Sequence, residues 1–387
     1  MKKKIVILGS TGSIGKNLLE IINKDKKKFK IELLTAKKNY KILLKQAKNF
    51  KVNNLIITDK KFYNIAKLKN DNKNIKIYNN FDDLKKIFKS KIDYTMSAII
   101  GLDGLLPTFK MIRFTKKIAI ANKESIICAW NIIKKELDKN KTKFIPVDSE
   151  HFSIWYALKN NLNKNVKKIN LTASGGPLLN YPLNKFSKLK ISQVLKHPNW
   201  KMGKKITIDS STMMNKVFEI IEAKKIFNLP YTRLSILIHP SSYVHALLEF
   251  NDGLVKVIVH DTTMKIPIFN TLYDFGQKKI KSQKLDLKKL NNLNLTKVNH
   301  SKFPIIKILK KLPKNDSLFE TVLVSINDEL VNLFLQKKIK YTDISKKLLL
   351  FINRNEFQKY KLISPRSISE IINLNEYVRF KVKTKGI

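Results

Sequence analysis

The chain opens with a short apolar segment that leads directly into a glycine-containing turn. Residues 4–8 predict a buried strand, Gly9-Ser-Thr-Gly-Ser-Ile-Gly15 follows, and the residues up to about Asn23 have the periodicity of an amphipathic helix. A strand, a glycine turn and a helix in this order predict a βαβ unit that binds a dinucleotide. Gly12 would bring the backbone close to a pyrophosphate, and the helix N-terminus would donate hydrogen bonds to it. The turn departs from the usual G-x-G-x-x-G pattern, because Ser10 occupies the first glycine position.

Further predicted strands alternate with helices through the N-terminal part of the chain, at 31–36, 54–58, 74–78, 94–99 and 117–121. This alternation predicts a doubly wound parallel sheet. From about Pro146 to about residue 285 strands and helices are mixed, and residues 290–302 predict connecting structure. Helical patterns then dominate, at 317–336, 342–353 and 367–373. The expected fold is α/β, with an N-terminal Rossmann-like sheet, a central α+β domain and a C-terminal helical domain.

The charge balance is strongly basic, with 77 Lys and Arg against 30 Asp and Glu and a net charge of +47. Such a balance often indicates a nucleic-acid or anionic membrane partner. The lysines are dispersed over nearly the whole chain, which is typical of a compositional bias and argues against a specific nucleic-acid surface. An anionic substrate would still be attracted by this field.

Cysteine usage and hydropathy bear on the compartment. The single cysteine, Cys128, excludes an internal disulfide and a cysteine-based zinc site, and suits a reducing compartment. The N-terminal apolar run is too short for a signal peptide, and no segment has the length of a membrane span. We therefore expect a cytoplasmic protein without a membrane partner.

Polar residues follow two predicted strands at the edge where ligands of open α/β sheets bind. Lys37-Lys38-Asn39 follow the second strand, where an enzyme that prefers NAD would have an acidic residue. Cations at this place favour the 2′-phosphate of NADP; the alternative is that two lysines carry no meaning in so basic a chain. Asn122-Lys123-Glu124 follow the strand that ends near Ala121, and are candidates for the same edge.

Carboxylates are scarce in this chain, so Asp148, Glu150, Glu219 and Glu222 stand out. Asp148 and Glu150 are spaced i, i+2, and in an extended or turning segment both side chains would point the same way. Glu219 would add a third hard oxygen ligand, a set that suits Mg²⁺ or Mn²⁺ rather than zinc. The alternative is a polar loop whose side chains only cap backbone groups.

The stretch from His197 to Ala223 combines a loop with a predicted helix. We expect a loop that carries Trp200, a short strand at 205–208, several N-cap candidates at 209–212 and a helix from about Met213.

On that predicted helix, Asn215, Glu219 and Glu222 share one stripe, with Lys216 beside it. An amide, a lysine and two carboxylates near a helix N-terminus can hold an anion and a cation side by side. A solvated helix face is the alternative.

Two further segments are weaker candidates. Residues 171–177 predict a strand end that runs into a small-residue turn, where backbone amides and Ser174 could bind an anion. His239 and His245 lie near a predicted strand, where a lone histidine is more often a core residue than a catalyst.

Six motifs resemble, in order and spacing, those of the 1-deoxy-D-xylulose 5-phosphate reductoisomerase family: GSTGSIG, ANKES, PVDSEH, LTASGGP, HPNWKMGKKITIDSSTMMNK and IHPSSYVH. The resemblance covers essentially the whole chain, and SINDELV is similar to that family's Asn-Ala-Ala-Asn-Glu segment. The pair of motifs PVDSEH and HPNWxMGxKIxxDSxTMMNK is highly specific for the family.

The resemblance implies an NADPH-dependent, divalent-metal-dependent enzyme of isoprenoid precursor synthesis that forms a homodimer. Its substrate would be a small phosphorylated sugar, 1-deoxy-D-xylulose 5-phosphate, which is isomerised to an aldehyde and reduced to 2-C-methyl-D-erythritol 4-phosphate. The metal would be Mg²⁺ or Mn²⁺, with Co²⁺ also compatible. Bound by vicinal substrate oxygens, it would assist the retro-aldol/aldol rearrangement usually assigned to the family, without a covalent nucleophile.

Matching motifs assign the site residues by resemblance. The metal ligands would be Asp148, Glu150 and Glu219. The NADPH contacts would be Thr11, Gly12, Ser13, Ile14, Lys37, Lys38, Asn39, Asn122, Glu124 and Gly203. The substrate contacts would be Lys123, Ser149, Glu150, Ser174, His197, Ser210, Asn215, Lys216 and Glu219. The catalytic residues would be Glu150, Lys123, His151, His197 and His245.

The resemblance also implies a division of labour along the chain. Residues 197–203 would close as a lid, with Trp200 excluding water from the reactive aldehyde. Four donors would bind the phosphate group, namely Ser174, Ser210, Asn215 and Lys216. The expected domains are an NADPH-binding domain at 1–147, a catalytic and dimerisation domain at 148–285, a linker at 286–311 and a C-terminal helical domain at 312–387.

Departures from the family pattern leave every expected metal ligand in place. Lys37 stands where the family usually has glycine, and would crowd or augment the 2′-phosphate site. Other departures are Phe-Ser-Ile-Trp at 152–155, Val-Phe at 217–218 and Thr-Met-Lys-Ile-Pro-Ile at 263–268. They bear on stability and rate more than on the type of reaction.

Two alternative functions fit less well. A semialdehyde dehydrogenase would need a catalytic cysteine, but Cys128 lies in an apolar run. A non-catalytic nucleic-acid binder would have lost metal ligands or would carry a localised basic face, and the sequence has neither.

Overall fold

A computed structural model describes residues 1–158, 165–200, 202–273 and 278–386. Lys201, within the predicted lid, lies outside the described residues. The chain divides into two compact units. The first unit comprises Met1–Ser125, Ile133–Asp148 and Met264–Lys281, and the second comprises Ile126–Ile132, Ser149–Thr263 and Ser282–Ile387.

The described strands, in chain order, are β1 (Lys3–Leu8), β2 (Phe29–Ala36), β3 (Asn54–Ile57), β4 (Lys76–Tyr78), β5 (Tyr94–Ser97), β6 (Lys117–Ile120), β7 (Lys143–Pro146), β8 (Val166–Ala173), β9 (Leu234–Ile238), β10 (Val244–Phe250), β11 (Val255–Val259) and β12 (Thr296–Lys297). The described α-helices are α1 (Ser13–Asn23), α2 (Tyr40–Phe50), α3 (Lys60–Leu68), α4 (Leu84–Ile87), α5 (Leu105–Ile112), α6 (Lys123–Lys139), α7 (Ser149–Ala157), α8 (Ile191–Val194), α9 (Lys204–Thr212), α10 (Met214–Phe227), α11 (Lys265–Leu272), α12 (Leu287–Asn291), α13 (Phe319–Leu335), α14 (Tyr341–Ile352), α15 (Asn355–Gln358) and α16 (Ile368–Lys385).

The first unit is built around a parallel sheet whose described strands follow the order β4-β3-β2-β1-β5-β6-β7. Strand β1 is buried on both faces: Ile5 and Ile7 pack into one apolar cluster, and Val6 and Leu8 pack into another. A strand covered on both faces needs a continuous apolar run, which is what residues 5–8 provide. The strand order reverses next to β1, so the doubly wound parallel sheet predicted from the sequence is confirmed.

The second unit contains a mixed sheet in the order β11-β10-β8-β9-β12 within the described residues. Strands β8 and β9 are parallel, whereas β10 runs antiparallel to both β8 and β11. Its apolar face packs on α10 through residues such as Ile169, Ala246 and Ile220. Helices α13, α14 and α16 form the helical C-terminal region, so the expected α/β, α+β and helical sequence of parts is also confirmed.

Two local expectations are wrong. The strand predicted at 205–208 is part of helix α9, because Lys205 pairs with Asp209 one turn later at 2.9 Å and Thr207 Oγ1 donates to the Gly203 carbonyl at 3.0 Å. The predicted N-cap candidates at 209–212 therefore lie inside α9, and Met213, at a φ of 67°, separates α9 from α10.

The segment after Asp148, which was predicted to be extended or turning, begins a helix. Helix α7 begins at Ser149, so Glu150 lies in its first turn, where a carboxylate is stabilised by the helix dipole. The helix predicted at 367–373 is correct in type but continues to Lys385. Among the described helices, none is both long enough and apolar enough to cross a membrane.

Candidate active site

The turn between β1 and α1 is closely packed at Gly9 and Gly15. Gly9 has a φ of 78°, and a Cβ there would lie 2.6 Å from the Ala98 carbonyl oxygen. A Cβ on Gly15 would lie 2.5 Å from Ser10 Cα, so the start of α1 rests directly on the turn. A Cβ on Gly12 would lie 3.4 Å from its nearest neighbour, an ordinary contact, so packing within the protein does not require glycine at this position. That Gly12 lets the backbone approach a pyrophosphate stays a prediction.

The remaining residues of the turn begin helix α1. Thr11, Ser13 and Ile14 are partly or fully exposed, so the amides of the first turn of α1 lie near the surface. A helix N-terminus of this kind is suited to an anion such as a pyrophosphate.

Two lysines follow β2, the strand next to β1. Lys37 Nζ pairs with Asp103 at 2.5 Å, and Lys38 Nζ lies 4.0 Å from Asp59. Asn39 is the N-cap residue of α2. Both lysine side chains are more than half exposed, and exposed pairs of this kind contribute little stability, so both ammonium groups can rearrange toward an anionic ligand.

Asn122 holds the loop beside the N-terminus of α6. Its amide donates to the carbonyl oxygens of Ile99 and of Gly101, the latter at 2.8 Å, and its Oδ1 accepts from the Ser125 amide at 2.8 Å. Glu124, in the first turn of α6, is buried and lies 3.5 Å from the Asn122 amide. The Asn122 side chain therefore fixes the conformation of the loop at 99–101 through these hydrogen bonds.

Lys123 and Asp148 are brought together at the carboxyl ends of neighbouring strands. Lys123 follows β6, Asp148 follows β7, and the two strands pair in parallel. Lys123 Nζ lies 3.0 Å from Asp148 Oδ2, and both side chains are largely buried. The expectation that Lys123 lies at this edge of the sheet agrees with the structure, whereas the strand that brings Asp148 there was not predicted from the sequence.

A lysine and two carboxylates form the centre of the polar cluster in the second unit. Lys216 Nζ lies 2.7 Å from Glu150 Oε1 and 2.5 Å from Glu219 Oε2, and it donates to the Thr172 carbonyl at 2.5 Å. Helix α7 carries Glu150, α10 carries Lys216 and Glu219, and β8 carries Thr172. The structure thus joins residues that are 66 positions apart in the chain.

The electrostatics of this cluster favour a bound cation. Burial disfavours the charge of Lys216, but the adjacent carboxylates of Glu150 and Glu219 outweigh it and raise the lysine pKa. One ammonium against two carboxylates leaves one excess negative charge among these three groups. Their carboxylate oxygens are the ligands that hard divalent ions prefer.

Neighbouring side chains orient the two carboxylates. Ser149 Oγ donates to Glu150 Oε2 at 2.5 Å, and the Asn215 amide donates to Glu219 Oε1. Asp148 directly precedes α7, two residues before Glu150 in the chain.

His151 lies against α10. Its Nε2 donates to the Glu219 carbonyl at 2.9 Å, and its Nδ1 lies 3.9 Å from Glu222 Oε2. Both His151 and Glu222 are buried, as is most of α10. The alternative of a solvated helix face at 215–222 is therefore wrong.

Ser174 and His197 are in contact, as expected for one site. His197 Nε2 donates to Ser174 Oγ at 3.1 Å, and His197 Nδ1 accepts from the amides of Asn199 and Trp200 at 3.2 and 3.0 Å. Burial lowers the pKa of His197 to about 4, so its ring is neutral near pH 7. The loop at 197–200 is consequently anchored by one neutral imidazole.

The turn after β8 packs against α9. Gly175 and Gly176 have φ angles of 79° and 65°, and a Cβ on Gly176 would lie 2.8 Å from the Ser210 carbonyl. Ser210 therefore sits beside the Ser174 turn. Gly203, the N-cap residue of α9, lies in the second unit, whereas the other expected NADPH contacts lie in the first.

One group near these residues was not predicted from the sequence. His260 stacks on His245, and the sequence marks it only by its place directly after the segment 255–259. Asp209, predicted as an N-cap candidate, instead accepts a hydrogen bond from the Asn327 amide of the SINDELV segment at 2.8 Å.

Family models cover most of the chain. The model described as 1-deoxy-D-xylulose 5-phosphate reductoisomerase matches residues 5–130. The model of that family's C-terminal domain matches residues 144–227, and a further DXP reductoisomerase C-terminal domain model matches residues 260–381.

Individual relatives and solved structures carry the same name. A 1-deoxy-D-xylulose 5-phosphate reductoisomerase of Pelagibacter ubique is 60% identical over 387 residues, which is 100% of both chains. The protein of that name from Sulfurihydrogenibium sp. is 40% identical over 92% of both chains. A crystal structure of DOX-P reductoisomerase with NADPH, fosmidomycin and magnesium has a TM-score of 0.90 and 30% identity, covering 99% of this chain and 98% of that one. The Zymomonas mobilis enzyme in complex with NADPH has a TM-score of 0.86 and 30% identity, covering 98% of each chain.

Proposed function

The chain belongs to the 1-deoxy-D-xylulose 5-phosphate reductoisomerase family, and on that premise we propose that Glu150, Lys216 and Glu219 lie at the centre of its active site. It is an NADP-dependent oxidoreductase that isomerises 1-deoxy-D-xylulose 5-phosphate and reduces the product to 2-C-methyl-D-erythritol 4-phosphate, in non-mevalonate isoprenoid precursor biosynthesis. The observation that carries the placement of the site is the contact of one buried ammonium, that of Lys216, with both carboxylates.

The metal site proposed here consists of Asp148, Glu150 and Glu219. The donor chemistry fits a hard divalent ion, because Glu150 and Glu219 together carry one more negative charge than Lys216 neutralises. Asp148, two residues before Glu150 in the chain, would supply the third carboxylate. Magnesium is the first candidate, and we extend the proposal to Mn²⁺ and Co²⁺, which accept the same ligands. When bound, such an ion polarises a carbonyl oxygen and stabilises developing negative charge.

The NADPH site proposed here lies at the carboxyl ends of β1, β2 and β6. The amides at Thr11 to Ile14 would receive the pyrophosphate, and Lys38, aided by Lys37, the 2′-phosphate. Asn39, Asn122, Glu124 and Gly203 complete the proposed set of contacts. The exposed ammonium of Lys38 is the feature that supports NADPH over NADH.

Several side chains are proposed to hold the sugar phosphate. Ser174, Ser210 and Asn215 would donate to the phosphate group, and Lys216 would add a positive charge next to Asn215. Lys123, oriented by Asp148, and Ser149, beside Glu150, would contact the carbon chain.

Three histidines are proposed to take part in the reaction. We propose His151, His197 and His245 as catalytic or orienting groups. The support is that His197 donates to Ser174 and that His151 binds the backbone of Glu219. Trp200, on the loop anchored by His197, would exclude water from the aldehyde intermediate.

A homodimer is proposed from the edge of the mixed sheet. Strand β11 is one of the two edge strands of the sheet as described, and the β10–β11 hairpin exposes Leu254, Val255 and Val257, with 65%, 56% and 39% of each residue accessible. An exposed apolar edge strand is a ready surface for pairing with a second copy. Sedimentation of the wild-type chain beside Val257→Lys measures this directly, since the proposal expects the charged variant to dissociate.

We also propose the functional division of the chain and its compartment. Residues 1–147 would bind NADPH, and 148–285 would carry catalysis and dimerisation. Residues 286–311 would be a linker to the C-terminal helical domain at 312–387. The single cysteine, Cys128, is buried and has no second cysteine in the chain with which to form a disulfide, which is compatible with the cytoplasm.

The experiment that tests the function is NADPH oxidation by the purified chain with 1-deoxy-D-xylulose 5-phosphate. We expect turnover with Mg²⁺ or Mn²⁺, loss of turnover in EDTA and recovery on adding the metal back. Substrate-independent oxidation, or turnover that persists unchanged in EDTA, would contradict the metal-dependent reaction.

A further inference from the structure

His260 lies beside His245 because of an irregularity between two strands. In the β10–β11 ladder Val244 pairs with Val259 and Ala246 with Ile258, and the register shifts between them, so His245 occupies a bulge. His260 is the first residue after β11, and its amide donates to the Tyr243 carbonyl at 3.2 Å. Bulges commonly redirect a side chain next to an active site.

The two imidazole rings are stacked face to face. Their centroids are 3.6 Å apart and their planes differ by 13°. His245 Nε2 also donates to the His260 carbonyl at 3.2 Å, and His260 Nδ1 donates to the Asp261 carbonyl at 2.8 Å. These bonds set the tautomer of each ring, because the nitrogen that donates to a carbonyl must carry the proton.

His245 in turn meets Trp200. The two rings are perpendicular, at 74°, with centroids 6.2 Å apart, a favourable edge-to-face geometry for an aromatic pair. The rings of His260, His245 and Trp200 therefore form a continuous column. At the end of the column stands the loop that His197 anchors through the Trp200 amide.

The protonation state of His260 allows its ring to stack on that of His245. Burial lowers the pKa of His260, against smaller opposing effects of its bond to the Asp261 carbonyl and of the charge of Glu150. His260 is therefore neutral near pH 7, and its ring can lie on His245 without charge repulsion.

We propose that His260 is a positioning residue for the reaction: its ring face and its carbonyl hold His245 in the orientation against which Trp200 packs. This inference rests on the proposed function, since it assigns His245 and the Trp200 loop to the active site. His260 would therefore strengthen binding of the phosphorylated sugar. It would leave the NADPH contacts proposed in the first unit unaffected.

Three variants separate this role from simple filling of space. His260→Ala removes the ring, and His260→Phe keeps a flat ring without nitrogen atoms. Val259→Ala is a control that removes two methyl groups from the neighbouring position on β11 and leaves His260 in place. The backbone carbonyl that binds His245 remains in all three.

We expect His260→Ala to lower kcat/KM for 1-deoxy-D-xylulose 5-phosphate by about 2- to 12-fold, the range that an aromatic pair contributes. The change should fall mainly on KM, with the Kd of NADPH unchanged. His260→Phe should recover most of the loss, and Val259→Ala should resemble the wild type. The fluorescence of Trp200, isolated by subtracting the Trp200→Phe spectrum, should shift in His260→Ala and return in His260→Phe.

Two results would overturn the proposal. One is a His260→Ala enzyme with wild-type kcat/KM and an unchanged Trp200 signal; the other is a His260→Phe enzyme as impaired as His260→Ala, since the ring face would then not matter. If His260→Ala does not fold, His260→Phe is compared with the wild type, and a loss of kcat/KM of about 2- to 12-fold in His260→Phe would then overturn the proposal. A wild-type chain without substrate-dependent NADPH oxidation would instead contradict the proposed function itself.

Discussion

Replacing Glu219 by glutamine tests the acidic cluster with the smallest change of shape. The side chain of Glu219 is 1% exposed and that of Lys216 is 6% exposed, so the pair is removed from water. Glu219→Gln abolishes one carboxylate charge but leaves the neighbouring groups in place. Lys216 keeps Glu150 at 2.7 Å and the Thr172 carbonyl at 2.5 Å.

The expected loss of stability follows from these contacts. Leaving a buried charge without its partner costs about 3–5 kcal/mol. Because Lys216 retains a second carboxylate and a carbonyl, the loss should instead approach that of one hydrogen bond to a charged group, about 1.5–3 kcal/mol. We therefore expect a folded variant with a lower unfolding midpoint in urea.

The metal response should change far more than the fold. Removing an outer-shell partner of a metal ligand typically costs about 10–100-fold in affinity, and a ligand should matter at least as much. We expect the Mg²⁺ concentration for half-maximal NADPH oxidation to rise at least about tenfold. Thermal stabilisation by added Mg²⁺ provides a readout that does not depend on turnover.

Glu329→Gln is the matched control. Glu329 is also a buried carboxylate in an ion pair, with Arg379 at 2.9 Å, but it belongs to α13 and to no proposed ligand set. It should lower stability without changing the Mg²⁺ requirement. An unchanged Mg²⁺ midpoint in Glu219→Gln would refute the assignment of Glu219 as a ligand.

Two further predictions concern the cofactor and pH. Lys38→Ala should weaken NADPH binding much more than NADH binding, because the lost ammonium would meet only the 2′-phosphate; equal weakening in a fluorescence titration would argue against this assignment. His197 has its pKa lowered from 6.5 to about 4 by burial, so the folded state binds fewer protons than the unfolded state between these values. Its contribution to stability should be complete above pH 6.5 and decline as pH falls toward 4. His197→Gln should show a smaller drop in urea midpoint between pH 7 and pH 5 than the wild type, and equal drops would exclude His197 as the source.

Local pattern was sufficient to predict strands β1 to β6 of the first unit, which coincide with apolar segments, but not β7. Lys38 and Lys123 each follow a predicted strand and begin or precede a helix. Parallel pairing brings the ends of β6 and β7 together, but the contact of Lys123 with Asp148 was not predicted, because β7 was not recognised in the sequence.

The second unit depended on contacts that spacing does not reveal. A four-residue alternation at 205–208 is compatible with a strand or with a helix, and α9 is held by Asn327, which is 118 positions from Asp209. Likewise, the stack of His260 on His245 requires a bulge in β10, and nothing in the local sequence marks that bulge.

The central claim is that Glu150 serves the reaction as a metal ligand and has no part in holding NADPH. Glu150 belongs to the second unit, whereas the glycine turn and Lys38 belong to the first. The direct measurement is turnover of 1-deoxy-D-xylulose 5-phosphate by Glu150→Gln, together with the Kd of NADPH for the same preparation. The account expects turnover to be abolished and the Kd of NADPH to stay at its wild-type value. Retained turnover would remove Glu150 from the metal site, and a lost affinity for NADPH would contradict the separation of the two sites.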